Sequence, residues 1–132
     1  MPQVTPQAAR ALAIYAHLAA TDQVWLGRIE GRPPAYPAWP ALSLEEAAAL
    51  TREGVARLRE HAAAPEEEMQ RVIVYRTSAG QEFRTPVGDI LTHVALHGAY
   101  HRGQLALLAR DGAAEPINTD FVTYVRQNPA TD

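Results

Sequence analysis

Residues 85–112, TPVGDILTHVALHGAYHRGQLALLARDG, decide the reading of this chain. The stretch predicts one helix of about seven turns with start and stop signals at its ends. Thr85 is placed to cap it. Pro86 fits the first helical position, where an N–H would go unpaired anyway, and Asp89 suits the positive end of the helix dipole. Gly112 can take a left-handed cap, with Arg110 near the negative end. On a wheel of about 100° per residue, with His97 at zero, His93 falls at about −40° and His101 at about +40°. Val87, Ile90, Val94, Leu105 and Leu108 lie at roughly 20° to 80° on the same side. Three imidazoles thus share the face that should be buried, while Ala95, Arg102, Ala106 and Arg110 point the other way. Buried polar rings need partners, and one metal ion would satisfy two of them together.

His97 and His101 form an HxxxH pair. Residues four apart on a helix are neighbours, with Cβ atoms roughly 5–6 Å apart. Two such imidazoles can converge on one ion at about 2.0–2.1 Å from each nitrogen. A third ligand from a facing helix would complete a triangular face, and His17 is the best candidate because it also sits at the edge of a core face. Three histidines leave positions open, as catalytic sites do, and a water or thiol bound there would lose its proton near neutral pH. The spacing alone leaves two other readings open: hydrogen-bonded core histidines, or histidines facing a solvent channel. His93 lies about 80° from His101 and reads as packing or ligand support before it reads as a fourth ligand. Gln104, at about −20° on the wheel, can hydrogen-bond a ligand ring or a bound molecule. Tyr100, at about −60°, can donate to a bound oxyanion. The plainer readings are a backbone-capping glutamine and a core tyrosine with a wet hydroxyl. No glutamate stands beside the pair as it does in HExxH.

Working outward, residues 6–31 predict a second long helix closed by Gly31. Its apolar arc holds Ile14, Tyr15, Leu18, Trp25, Leu26 and Ile29, with His17 at the edge. Asp22 falls inside that arc, about 140° from His17, so one ion cannot easily take both; a polar group on a neighbouring helix is its expected partner. Residues 1–5 read as a frayed end. Residues 32–42, RPPAYPAWPAL, carry four prolines and predict an extended loop whose Tyr36 and Trp39 tuck against the bundle. Ser43-Leu44-Glu45-Glu46 is a capping box, so a third helix runs from there to about residue 63. Glu66 to Glu68 read as a solvated turn. Residues 71–77, rich in β-branched side chains, turn at 78–80 and return at 81–84, which predicts a hairpin lying as a surface flap. Asn118-Thr119-Asp120 should cap a short last helix, Phe121 to Gln127. The class is all-α: a helical bundle with a short β-hairpin insert, forming a single domain over residues 1–132.

Composition narrows the function. The chain has no cysteine, which excludes a disulfide, a thiolate nucleophile and a zinc–sulfur site. Every basic residue is arginine, the arginines are scattered, and the net charge is −3. Nucleic acid wants a basic stripe instead. No apolar run approaches the length of a membrane span and no signal-peptide pattern opens the chain. The expectation is a soluble, cytoplasmic protein.

His97-Gly-Ala-Tyr-His101-Arg-Gly-Gln104 resembles the HxxxHRGQ signature of the DinB/YfiT-like superfamily. The segment from Ala16 to Leu26, AHLAATDQVWL, resembles that family's histidine-bearing segment, and Thr119 to Arg126, TDFVTYVR, resembles its closing motif. The three stretches occur in the family's order, and together they span the chain from Ala16 to Arg126. The resemblance implies a metal-binding four-helix bundle with an inserted hairpin. It implies His17, His97 and His101 as ligands of a divalent transition metal, zinc, nickel or iron. It also implies relatives that are thiol-dependent S-transferases or isomerases using a small-molecule thiol, bacillithiol, mycothiol or glutathione. With three histidines leaving positions open, the expectation is a thiol-dependent S-transferase or hydrolase-type enzyme acting on small electrophiles, in which Gln104 or Tyr100, from their places on the wheel, orient the bound molecule. The alternative it allows is a non-catalytic metal-binding stress-response protein. Such proteins carry a whole helix before the histidine-bearing one. Here 16 residues precede His17 and read as the front of that same helix. The first family helix is therefore expected to be missing, and a partner subunit to cover the exposed face, giving a homodimer.

Overall fold

The structure is a computed structural model and describes residues 4–131. In chain order it holds α1 (Pro6–Glu30), α2 (Leu44–Ala62), α3 (Glu66–Met69), β1 (Val72–Arg76), β2 (Glu82–Pro86), α4 (Val87–Asp111) and α5 (Phe121–Gln127). The class is the expected one: an all-α bundle interrupted, among the described residues, by a single antiparallel hairpin. No helix among the described residues is long and apolar enough to cross a membrane.

Local chemistry sets the helix ends. Thr5 caps α1 by accepting the Ala8 N–H at 3.1 Å, and Pro6 occupies the first turn. At the other end Gly31 adopts φ 72°, and the Arg32 N–H returns to the Gly27 carbonyl at 2.7 Å. The turn passes so close over α1 that a Cβ on Gly27 would meet the Arg32 carbonyl oxygen at 2.9 Å. The box predicted for α2 is complete: Ser43 accepts from the Glu46 N–H, and Glu46 accepts from the Ser43 N–H.

Three end assignments differ from expectation. Thr85 does not cap α4; it pairs with Ile73 in the hairpin, and its hydroxyl lies 3.0 Å from the Tyr75 hydroxyl. Pro86 ends β2, so α4 begins at Val87 without a side-chain cap. Gly112 has φ −85°, and the left-handed residue is Ala113, at φ 61°. Asp120 stands at the N-cap of α5 but makes no side-chain cap bond; Asn118 Oδ1 instead accepts the Asp120 N–H. Glu66 to Glu68 form the short α3 where a turn was expected.

The hairpin is more than a flap. Ile73 is buried in a cluster with Ile29, Val87 and Ile90, and Trp25, Met69, Tyr75, Leu91 and Val94 pack against it. One face of β1 is thus core, while Val72 and Val74 on the other stay exposed, the period-2 signature of a strand. Elsewhere α1 meets its neighbours through small side chains. Ala16, Ala19, Ala20 and Ala47 are fully buried, and a Cβ on Gly54 of α2 would lie 3.4 Å from the Gln23 side chain. This close approach seats α1 against α2, and α1 packs along α4 as well, so the middle of α1 faces both helices.

Candidate metal centre

The three expected histidines meet. One ring nitrogen from each of His17, His97 and His101 lies within 4.8 Å of the others. Their ring centroids are 5.3 Å apart for His17 and His97, 4.9 Å for His17 and His101, and 4.5 Å for His97 and His101. The i,i+4 spacing on α4 supplies two of them, and α1 supplies the third.

Each ring's orientation has a physical cause. His17 Nδ1 lies 2.5 Å from the Ala38 carbonyl oxygen, which can only accept, so Nδ1 carries the proton and Nε2 is left with its lone pair. The indole of Trp39 stacks on the same ring, with centroids 3.8 Å apart and planes 7° apart. Four prolines in the loop thus serve to lay a carbonyl and an indole against one imidazole. His101 Nδ1 lies 2.7 Å from Gln104 Oε1, which likewise leaves the lone pair on Nε2. His97 Nε2 faces His101 Nε2 at 3.2 Å.

This donor set fits a divalent transition metal. Two nitrogens 3.2 Å apart, each about 2.0–2.1 Å from one ion, would subtend about 100° at it, an ordinary ligand angle. Imidazole suits zinc, nickel and iron alike. Two of the rings are also pushed toward the neutral form. Burial lowers the His97 pKa to about 4, and the neighbouring His101, His17 and His93 rings push the same way. Burial lowers that of His17 as well, against the Ala38 bond, which raises it. Neutral imidazoles are ligand-competent, whereas imidazolium is not. His17 and His101 are each 7% exposed, so protein surrounds the cluster on most sides.

The remaining named residues fall around it. Gln104 orients His101, as just described. Tyr100 is 67% exposed, with its ring edge-on to His101 at 5.1 Å, so it stands at the rim and not in the core. His93 lies outside the triad: it is exposed, stacked at 5.5 Å on His97 and edge-on to Trp25 at 5.3 Å. Asp22 lies elsewhere too, in an apolar groove shared with Arg102; burial raises its pKa to about 6, partly offset by that guanidinium. The Ala38 carbonyl escaped sequence reading, because a backbone oxygen has no residue signature. Trp39 was visible as an aromatic in a loop bound to pack somewhere, but its target was not.

The DinB family model matches residues 4–131, nearly the whole chain. No curated protein matches it.

Proposed function

The chain belongs to the DinB family, and on that footing we propose that it is an enzyme joining a low-molecular-weight thiol, or water, to a small electrophile at a three-histidine metal site. The observation that carries this reading is the meeting of His17, His97 and His101, with ring nitrogens within 4.8 Å and two of the rings held by fixed acceptors. A divalent cation there would supply Lewis acidity, lowering the pKa of a thiol beside it. The protein's own residues do the rest. Ala38 and Gln104 hold the rings, Trp39 walls one side, and Tyr100 at the rim orients the electrophile with its hydroxyl. In the transfer, sulfur bonds to the electrophilic carbon, the leaving group departs with the bonding pair, and the thiol proton passes to solvent. We place this chemistry in the cytoplasm, where small thiols are kept reduced.

The test is consumption of a thiol, bacillithiol, mycothiol or glutathione, against a haloaromatic electrophile by zinc-, nickel- or iron-loaded protein. Turnover that vanishes in His97→Ala supports the reading; equal rates with and without protein contradict it.

One observation favours a second reading, a stress-response protein in which the ion staples α1 to α4. Among the described residues no carboxylate joins the histidine cluster to act as a base. That reading expects metal to raise the melting temperature with no thiol consumed.

We further propose that two copies associate. Leu18, Asp22, Val55, Leu58, Leu105 and Ile117 line an open groove of about 590 Å³ between α1, α2 and α4. On the same chain α5 exposes Phe121, Val122, Tyr124 and Val125, an apolar helical face. The proposed contact is reciprocal, the α5 ridge of each copy entering the groove of the other, so that it closes as a two-fold dimer.

A further inference from the structure

We infer that the hollow between the end of α1, the turn at 31–34 and β1 is an oxyanion-binding site centred on Arg28, taking the carboxylate or phosphate group of a small molecule. The hollow has a volume of about 280 Å³ and is lined by Gly27, Arg28, Arg32, Val74, Tyr75 and Arg76 among others.

Arg28 is set apart by what it lacks. Among the described residues only two arginines are partly buried, Arg28 and Arg57. Arg57 is paired with Glu30 and Glu53. Arg28 makes no ion pair and no hydrogen bond to any described residue, and burial lowers its pKa with no carboxylate opposing that shift. Its guanidinium carbon lies 4.4 Å from the Trp25 ring centroid and 4.6 Å from that of Tyr75. Ring faces attract the charge, but they leave five in-plane N–H donors without acceptors. Removing donors from water without a partner is costly, and the fork they form matches a carboxylate or phosphate.

The fold holds the fork in place. Tyr75 is fixed through its hydroxyl to Thr85 at 3.0 Å, and Trp25 packs edge-on to Tyr75 at 5.3 Å. The last turn of α1 favours a cation, and the Gly27 carbonyl there is already taken by the Arg32 N–H. Arg32 and Arg76 flank the hollow. Each is partly neutralised, Arg32 by Glu30 at 2.9 Å and Arg76 by Glu82 at 3.5 Å, yet each has donors to spare. In a chain of net charge −3, three guanidiniums around one hollow make a local positive field.

The hollow does not depend on the histidine cluster, and its test is kept separate from that reading. Trp25 touches Arg28 directly, so Trp39→Phe protein carries one reporting indole. Its emission is titrated with acetate and with inorganic phosphate, at ionic strength held constant with chloride. A saturable change with either supports the site, and the probe that saturates at lower concentration identifies carboxylate or phosphate as its chemistry. In the same background Arg28→Ala should weaken binding at least tenfold, and Arg28→Lys, which keeps the charge and loses the fork, should weaken it severalfold. Arg32→Glu, on the exposed turn, should weaken it without touching the aromatic clamp, which guards against an Arg28 variant that fails to fold. His97→Ala should leave the response intact. No saturable change with either anion, or equal binding by Arg28→Ala and the parent, would overturn the proposal.

Discussion

His97 and His101 turn their Nε2 atoms toward each other at 3.2 Å, one helical turn apart on α4. Without a shared cation, one of these nitrogens must carry a hydrogen to donate to the other. The second nitrogen of His101 is committed to Gln104, so the side-chain amide sets which His101 nitrogen is free. Gln104→Ala should therefore weaken metal binding by about 10–100-fold, the usual effect of losing a ring's outer partner. Competition against a chromophoric chelator measures this; unchanged affinity would mean that the ring needs no orienting.

The carboxyl of Asp22 makes stability depend on pH. Its folded pKa is raised from 3.8 to about 6, chiefly by burial. The folded state then holds the proton more tightly than the unfolded state. This carboxyl's contribution to stability is fully present below about pH 4, is lost as pH rises toward 6, and is absent above that. The two-unit shift corresponds to about 3 kcal/mol. Asp22→Asn should accordingly be more stable than the parent by up to about 3 kcal/mol at pH 8, with the advantage gone near pH 3. Urea denaturation of both proteins at the two pH values reads the difference.

Gly27 lies under the turn that closes α1. Its replacement by alanine puts a methyl 2.9 Å from the Arg32 carbonyl oxygen, and backbone cannot yield as a flexible side chain would. Gly27→Ala should cost about 1–3 kcal/mol in thermal or chemical unfolding. Full stability would show that the turn moves freely.

Association can be tested in the groove. Val55 lies on its wall and is exposed in the single chain. If two copies cover that wall, the parent should run as a dimer in size-exclusion chromatography with light scattering, and Val55→Arg as a monomer. A monodisperse parent monomer would refute the association.

The sequence was most legible where one helical period carried both packing and chemistry. HxxxH on an amphipathic stretch placed His97 and His101 side by side, and His17 at the edge of another apolar arc met them. It was less legible where tertiary contacts decided. Thr85 reads as a cap, yet the ladder to Ile73 and the bond to Tyr75 claim it for a strand. The hairpin reads as a flap because a seven-residue run does not say that Ile73 will complete a core begun by Ile29 and Ile90. The Ala38 carbonyl on His17 follows from the path of a proline-rich loop, which local propensity leaves undetermined. Arg28 reads as one more scattered arginine until its neighbours are known.

The most direct measurement is elemental analysis after equilibrium dialysis against zinc, on protein free of any histidine tag, for the parent beside His17→Ala. One ion per chain in the parent, with loss of at least ~100-fold in affinity when the α1 imidazole is removed, is expected of a centre shared between α1 and α4. Equal metal content in the two proteins, or none in either, would contradict it.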